Sequence, residues 1–200
     1  MSTQEAYDQF LHTLQQNALV LGATDAKVIS SNDIPVEDEV ILFCKDPLCE
    51  SYGQCLFCPP HAMSPKSMRL IVAESEKAVI FRLDLPSENN LEESRIIHFR
   101  KIFRIASALE QVAVNAGYAK SRGYAASSCK PVFCPSYQCQ ALWDGKSCRY
   151  PTEARPSMEA VGINVFKLFE RVGWEIHRIS KDTDAADLPG GVLGGMVLVR

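Results

Sequence analysis

The chain has 200 residues, of which 46% are hydrophobic and 22% charged, and its formal net charge is −3. That is the size of one ordinary domain or two small ones, with enough apolar material for a core that does not need metal merely to fold. The weak acidity argues against a broad nucleic-acid footprint, which calls for a basic stripe, and no apolar run approaches the roughly 18 residues of a membrane span.

Residues 4–21 carry Ala6, Phe10, Leu11, Leu14, Ala18, Leu19 and Leu21 at helical spacing, and Gly22 follows as a stop, so the chain is expected to open with a helix. The same stretch lacks the charged start, apolar run and small-residue cleavage site of a secretory signal, which points to the cytoplasm and to reduced thiols. A strand is expected over 26–31, an acidic turn over 33–39, and a second strand over 40–43 that runs straight into Cys44. Ser64 and Pro65 read as the N-cap and first position of a helix whose N–H groups point back toward the preceding cysteines.

Residues 78–85 read as a buried strand ended by Pro86, and Leu91 to Ala116 as a long helix stopped by Gly117. Within that helix Ile97, Phe99, Ile102, Phe103 and Ile105 predict the inner face, with the basic residues of 94–104 solvated outside. The small residues of 121–128 suit a backbone passing close to a cofactor or another segment. Further on, Ser157 reads as an N-cap with Glu159 in the first turn, Val165, Phe166, Leu168 and Phe169 as an apolar helix face, and Gly173 as its stop. A strand is expected over 174–179, then a glycine-rich turn over 188–195 and a closing strand over 196–200. The alternation predicts an α/β or α+β fold: a single compact domain over residues 1–200, with a mixed sheet flanked by helices and two cysteine-rich loops, 44–60 and 129–151.

Those loops hold all eight cysteines: Cys44, Cys49, Cys55 and Cys58, then Cys129, Cys134, Cys139 and Cys148, with none between. The spacings are C-x4-C-x5-C-x2-C and C-x4-C-x4-C-x8-C. Four thiolates are what a tetrahedral zinc ion or a cubane iron–sulfur cluster takes, and the chain offers that number twice. A disulfide framework is disfavoured by the reducing compartment. Closed zinc sites are usually built from two short knuckles, whereas only Cys55 and Cys58 make a C-x2-C pair. Cys58 is followed by Pro59 and Pro60 and Cys134 by Pro135, as cluster cysteines are in bacterial ferredoxin loops, where proline turns the chain away after the last ligand. The pattern favours two iron–sulfur clusters of the 4Fe–4S type and leaves zinc as the alternative.

Other candidates read more blandly. His61 follows the first loop and is expected to be an exposed loop histidine; His12 a surface residue; His98 and His177 packing or solvent-contact residues. Tyr52 and Tyr137 are expected to shield the cofactor, and Arg155 to pair with a carboxylate such as Glu159. No catalytic triad, phosphate loop or paired-carboxylate site stands out.

The order Cys44, Cys49, Tyr52-Gly53, Cys55, Cys58-Pro59-Pro60, then Cys148-Arg149-Tyr150-Pro151, Arg155 to Ala160 and Gly162-Ile163 resembles the predicted metal-binding family catalogued as domain of unknown function 2284, from about residue 40 to about 175. The resemblance implies metal binding through cysteines and no established reaction. This chain departs from the family pattern at Cys55, which puts ligand choice in the first loop in question. The expectation is therefore an accessory electron-transfer protein that serves a redox partner or an acceptor of corrinoid or flavin type, without nucleic acid or direct membrane insertion. A zinc-bearing interaction module, or an incomplete cluster with an open iron position and its own catalysis, are the other readings. The sequence leaves oligomeric state open.

Overall fold

Ser2 and Glu5 open the first helix with a reciprocal capping box, each side chain accepting the other's backbone N–H. Helix α1 (Thr3–Val20) buries Leu11, Leu14 and Ala18, and Gly22, at φ +96°, turns the chain into the sheet. This computed structural model describes residues 2–85, 92–176 and 190–200. The four strands are β1 (Asp25–Ser30), β2 (Lys77–Leu85), β3 (Arg122–Tyr124) and β4 (Gly191–Val199). They lie in the order β1-β2-β4-β3, with registers Ser30 to Lys77, Lys77 to Val199 and Arg122 to Leu198.

Alternation along the strands feeds two cores. On one face Val79, Phe81, Val197 and Val199 pack with α1 and with Ile102, Phe103, Ala106 and Leu109 of α3 (Glu92–Asn115). On the other, Ala78, Ile80, Met196 and Leu198 pack with Met68 and Val72 of α2 (Pro65–Ala73) and with the helix over 165–171. Residues 78–81 of β2 are all buried, which explains the unbroken apolar run there. Ser64 caps α2 by accepting from Ser67 N, with Pro65 at its start, as the sequence predicts.

The α/β architecture, one compact domain with helices flanking a sheet, is the one expected. The strand pairs described are antiparallel rather than mixed, because β4 inserts between β2 and β3 and runs opposite to both. A parallel contact survives as an isolated bridge, Ala125 to Ser157. Several local expectations change for identifiable reasons. Residues 40–43 do not form a strand; Asp38–Cys44 is a 3-10 turn that satisfies its own backbone without a neighbouring strand. The helix expected after Ser157 is broken in two, since Gly162 adopts φ +90° against Pro65 and ends a short 3-10 turn over Glu159–Val161. The chain restarts as a separate helix with Asn164 as its N-cap.

Glycines 191, 194 and 195 belong to β4 itself and not to a turn before it. A Cβ at Gly194 would collide with the ring of Phe169, and one at Gly195 with Phe81, so missing side chains let rings press on both faces. β3 was not anticipated. Trp174 to Ile176 carry no strand, and the rest of that expected element, with His177, lies outside the described residues, as do Pro86 and Leu91. The basic face of α3 is not merely solvated: Arg100 donates to Val132 O at 3.1 Å and Arg104 pairs with Glu153 at 3.3 Å, while Ile97 is exposed. Among the described residues no helix is long and apolar enough to cross a membrane.

Candidate metal centre

The first cysteine loop is a succession of tight turns in which cysteine carbonyls accept the next amides. Cys44 O takes Cys49 N, Cys49 O takes Tyr52 N, Cys55 O takes Cys58 N, and Cys58 O takes the amides of His61 and Ala62. Gly53, at φ +71°, donates to Pro59 O at 2.7 Å and folds the middle of the loop onto its end. In the second loop Ser128 caps a short helix, α4 (Cys129–Phe133), by accepting from Lys130 N. Lys130 Nζ donates to the carbonyls of Cys134 and Pro135, pinning the turn that follows. Cys139 precedes α5 (Gln140–Trp143), and Gln140 Nε2 donates to Ser147 O, which closes the wide gap before Cys148.

The two loops meet at their inner cysteines. Cys129 Sγ lies 3.8 Å from Cys55 Sγ, and the Ser128 hydroxyl is 3.2 Å from Cys58 Sγ and 3.8 Å from Cys55 Sγ. Cys55 and Cys58 are 2% and 7% exposed. Hydrogen bonds from Cys129 and Cys58 hold the Cys55 thiol down to about 3 against the opposing effect of burial, with Ser128 and the Phe57 amide also contributing. Donating to that thiolate, and then burial, push Cys58 and Cys129 upward.

Charge on each cysteine is felt by a neighbour. Cys44 is raised by burial and then by Cys49; Cys49 also acts on Cys58; Cys148 acts on Cys129; and Cys134 is raised by burial, then by Cys148, with Cys139 a smaller influence. The two loops therefore meet at Cys55, Cys58 and Cys129, and this spatial grouping crosses the sequence grouping. Cys55 sits at the meeting point of the loops. Among the described residues no three cysteine, histidine or carboxylate side chains close into a ready metal cage. Ser128 contacts the thiols of Cys55 and Cys58, Cys129 meets Cys55 directly, and thiolate sulfur is the ligand type that zinc and iron–sulfur clusters take. The residues fit such a group.

The surrounding candidates fall differently from expectation. Tyr137 is 59% exposed, with Arg149 over its ring at 5.2 Å, so it does not shield the thiols. Tyr52 is partly buried. Cover comes instead from Phe57 and from Phe133, whose ring lies 5.2 Å from both Phe103 and Tyr150. Arg155 does form an ion pair, at 2.8 Å, but with Glu110 on α3 and not with Glu159. Glu159 leaves Oε2 buried without a partner, and burial raises its carboxyl. His61 is exposed, edge-on to Trp143 at 6.3 Å; His12 is exposed and His98 half-buried. Ser128 was missed, although a serine directly before a cysteine that opens a helix is a capping signal.

No curated protein and no solved structure matches the chain. Residues 27–194 match the family of predicted metal-binding proteins expected from the cysteine motifs, and the chain belongs to that family, domain of unknown function 2284.

Proposed function

We propose that the protein holds two iron–sulfur clusters of the 4Fe–4S type on its eight cysteines and passes electrons to a partner protein or acceptor in the cytoplasm, as an accessory redox protein more than a stand-alone enzyme. What carries this reading is the number of sulfur donors, eight free thiols on two loops that meet at their inner cysteines. Eight sulfur donors exceed what one tetrahedral ion uses. The chain also has two apolar cores of its own, so a purely structural staple is not required.

When bound, a cluster supplies one-electron chemistry. The chain's own groups would tune it. The Ser128 hydroxyl and Phe57 amide offer hydrogen bonds to sulfur, Lys130 and Arg149 place positive charge beside Cys134, and Phe57, Phe133 and Tyr150 limit water. Because Cys129 joins Cys55 and Cys58, the two donor sets need not be the two sequence tetrads.

One observation favours zinc in a structural or interaction module. A tetrahedron with Zn–S bonds of about 2.3 Å has edges of about 3.8 Å, which is the separation of Cys55 and Cys129 sulfurs. Metal and sulfide analysis with a visible spectrum, on protein purified without oxygen, decides between them. About eight irons and eight sulfides per chain are expected; about two zincs without sulfide would overturn the electron-transfer reading.

A further inference from the structure

At the free edge of β3 lies a cavity of about 550 Å³, within the range of small-molecule sites. Cys148 and Phe57 form the wall nearest the thiols, and Lys120, Arg122 and Tyr124 form the wall along the strand edge. Arg155 and Glu110 complete it, but they answer each other: Arg155 donates to both carboxylate oxygens of Glu110, which also accepts from the Gly123 amide. That pair is a neutral, fixed part of the wall.

The remaining polar groups are not answered. Among the described residues the side chains of Lys120 and Arg122 enter no ion pair and make no hydrogen bond, so the cavity carries two uncompensated positive charges. Tyr124 is 1% exposed, and its buried hydroxyl has no partner among the described residues. That hydroxyl is closed off from solvent inside the wall, so the unpaired polar groups that a ligand can reach are those of Lys120 and Arg122. Burial pushes this phenol up to about 12, so it remains an O–H donor at neutral pH. Arg122 and Tyr124 stand two apart on β3 and so share a face of the strand.

We propose that this cavity binds a small organic anion, with its carboxylate or phosphate group at Lys120 and Arg122 and its apolar part against Phe57 beside Cys148. This gives the thiol centre a small-molecule substrate class. It rests on the redox reading for the chemistry that follows, and not for the binding itself.

The test is anaerobic calorimetric titration of the full chain, as purified, with sodium pyruvate, sodium succinate and inorganic phosphate in turn at fixed ionic strength. Iron, zinc and sulfide are measured on the same sample. Saturable binding of at least one probe is expected, weakened about tenfold by Arg122→Gln or Lys120→Gln, the loss anticipated for one charged hydrogen-bond donor. Carboxylate and phosphate probes separate the two chemistries. Absence of saturable binding by all three probes, or binding unchanged in both Arg122→Gln and Lys120→Gln, overturns the proposal. Anion binding in a sample without iron or sulfide would remove the redox reading alone, and a full iron and sulfide content without anion binding would remove this inference alone.

Discussion

The two ends of the first cysteine loop contrast sharply. Cys55 and Cys58 are buried and meet partners from the other loop, whereas Cys44 and Cys49 are held by turns within their own segment, with Cys49 exposed. The second loop repeats the contrast, since Cys129 touches Cys55 while Cys139 serves mainly as the acceptor for the next turn of helix. Cross-loop burial, and not spacing along the chain, selects the thiols that are organised before metal arrives. On the proposed reading, the outer thiols would depend on the metal to complete their arrangement.

Substitution at the two ends tests that difference most strongly. Cys55→Ser is expected to remove about half or more of the metal bound by anaerobically purified protein, because it takes away the sulfur on which the inner group converges. Cys49→Ser should remove clearly less, and equal losses would erase the distinction between inner and outer thiols. The aromatic cover gives a second contrast. Phe133→Ala is expected to cost about 3–5 kcal/mol in denaturant unfolding, as for other buried phenylalanines, because Phe133 is buried between Phe103 and Tyr150. Tyr137→Ala, at an exposed ring, should stay within about 0.5 kcal/mol.

A further effect concerns Glu159, whose Oε2 is buried near the outer thiol of Cys44. Glu159 acts electrostatically on Cys44 and has its own carboxyl raised by burial. A carboxyl whose folded value lies above its unfolded one keeps its proton better in the native state. As pH rises past the unfolded value near 4.5, the unfolded chain releases that proton first and native stability falls until the folded value is passed. Glu159→Gln has no such loss, so it should be more stable than wild type at neutral pH, with the gap closing below about pH 4. A gap independent of pH would show that ionisation is not its cause.

Much of the scaffold was legible. Ser64-Pro65 announces α2, Gly22 and Gly117 stop helices, and the unbroken apolar run of β2 marks a strand buried on both faces. What escaped was written in tertiary contacts. Gly194 and Gly195 resemble a turn until Phe169 and Phe81 are seen to occupy their side-chain space. β3 is three residues long and has strand geometry because β4 is there to pair with it. The apolar residues 40–43 have the composition of a strand but find no ladder. At the metal centre the cysteines were plain, while their partners were not: Cys129 meets Cys55 because β3 and α4 carry it across the fold, and local spacing contains no trace of that.

The insertion of β4 between β2 and β3 also orders events in time. During synthesis both cysteine loops leave the ribosome before residues 191–199 do, yet β3, which leads into the second loop, pairs with no other strand among the described residues. A nascent chain halted before β4 therefore exposes eight thiols on two segments that no sheet yet aligns. On the proposed reading, delivery of metal to a correctly grouped set of cysteines would in this way be tied to translation of β4, and a chain truncated before it would offer metal only unorganised thiols.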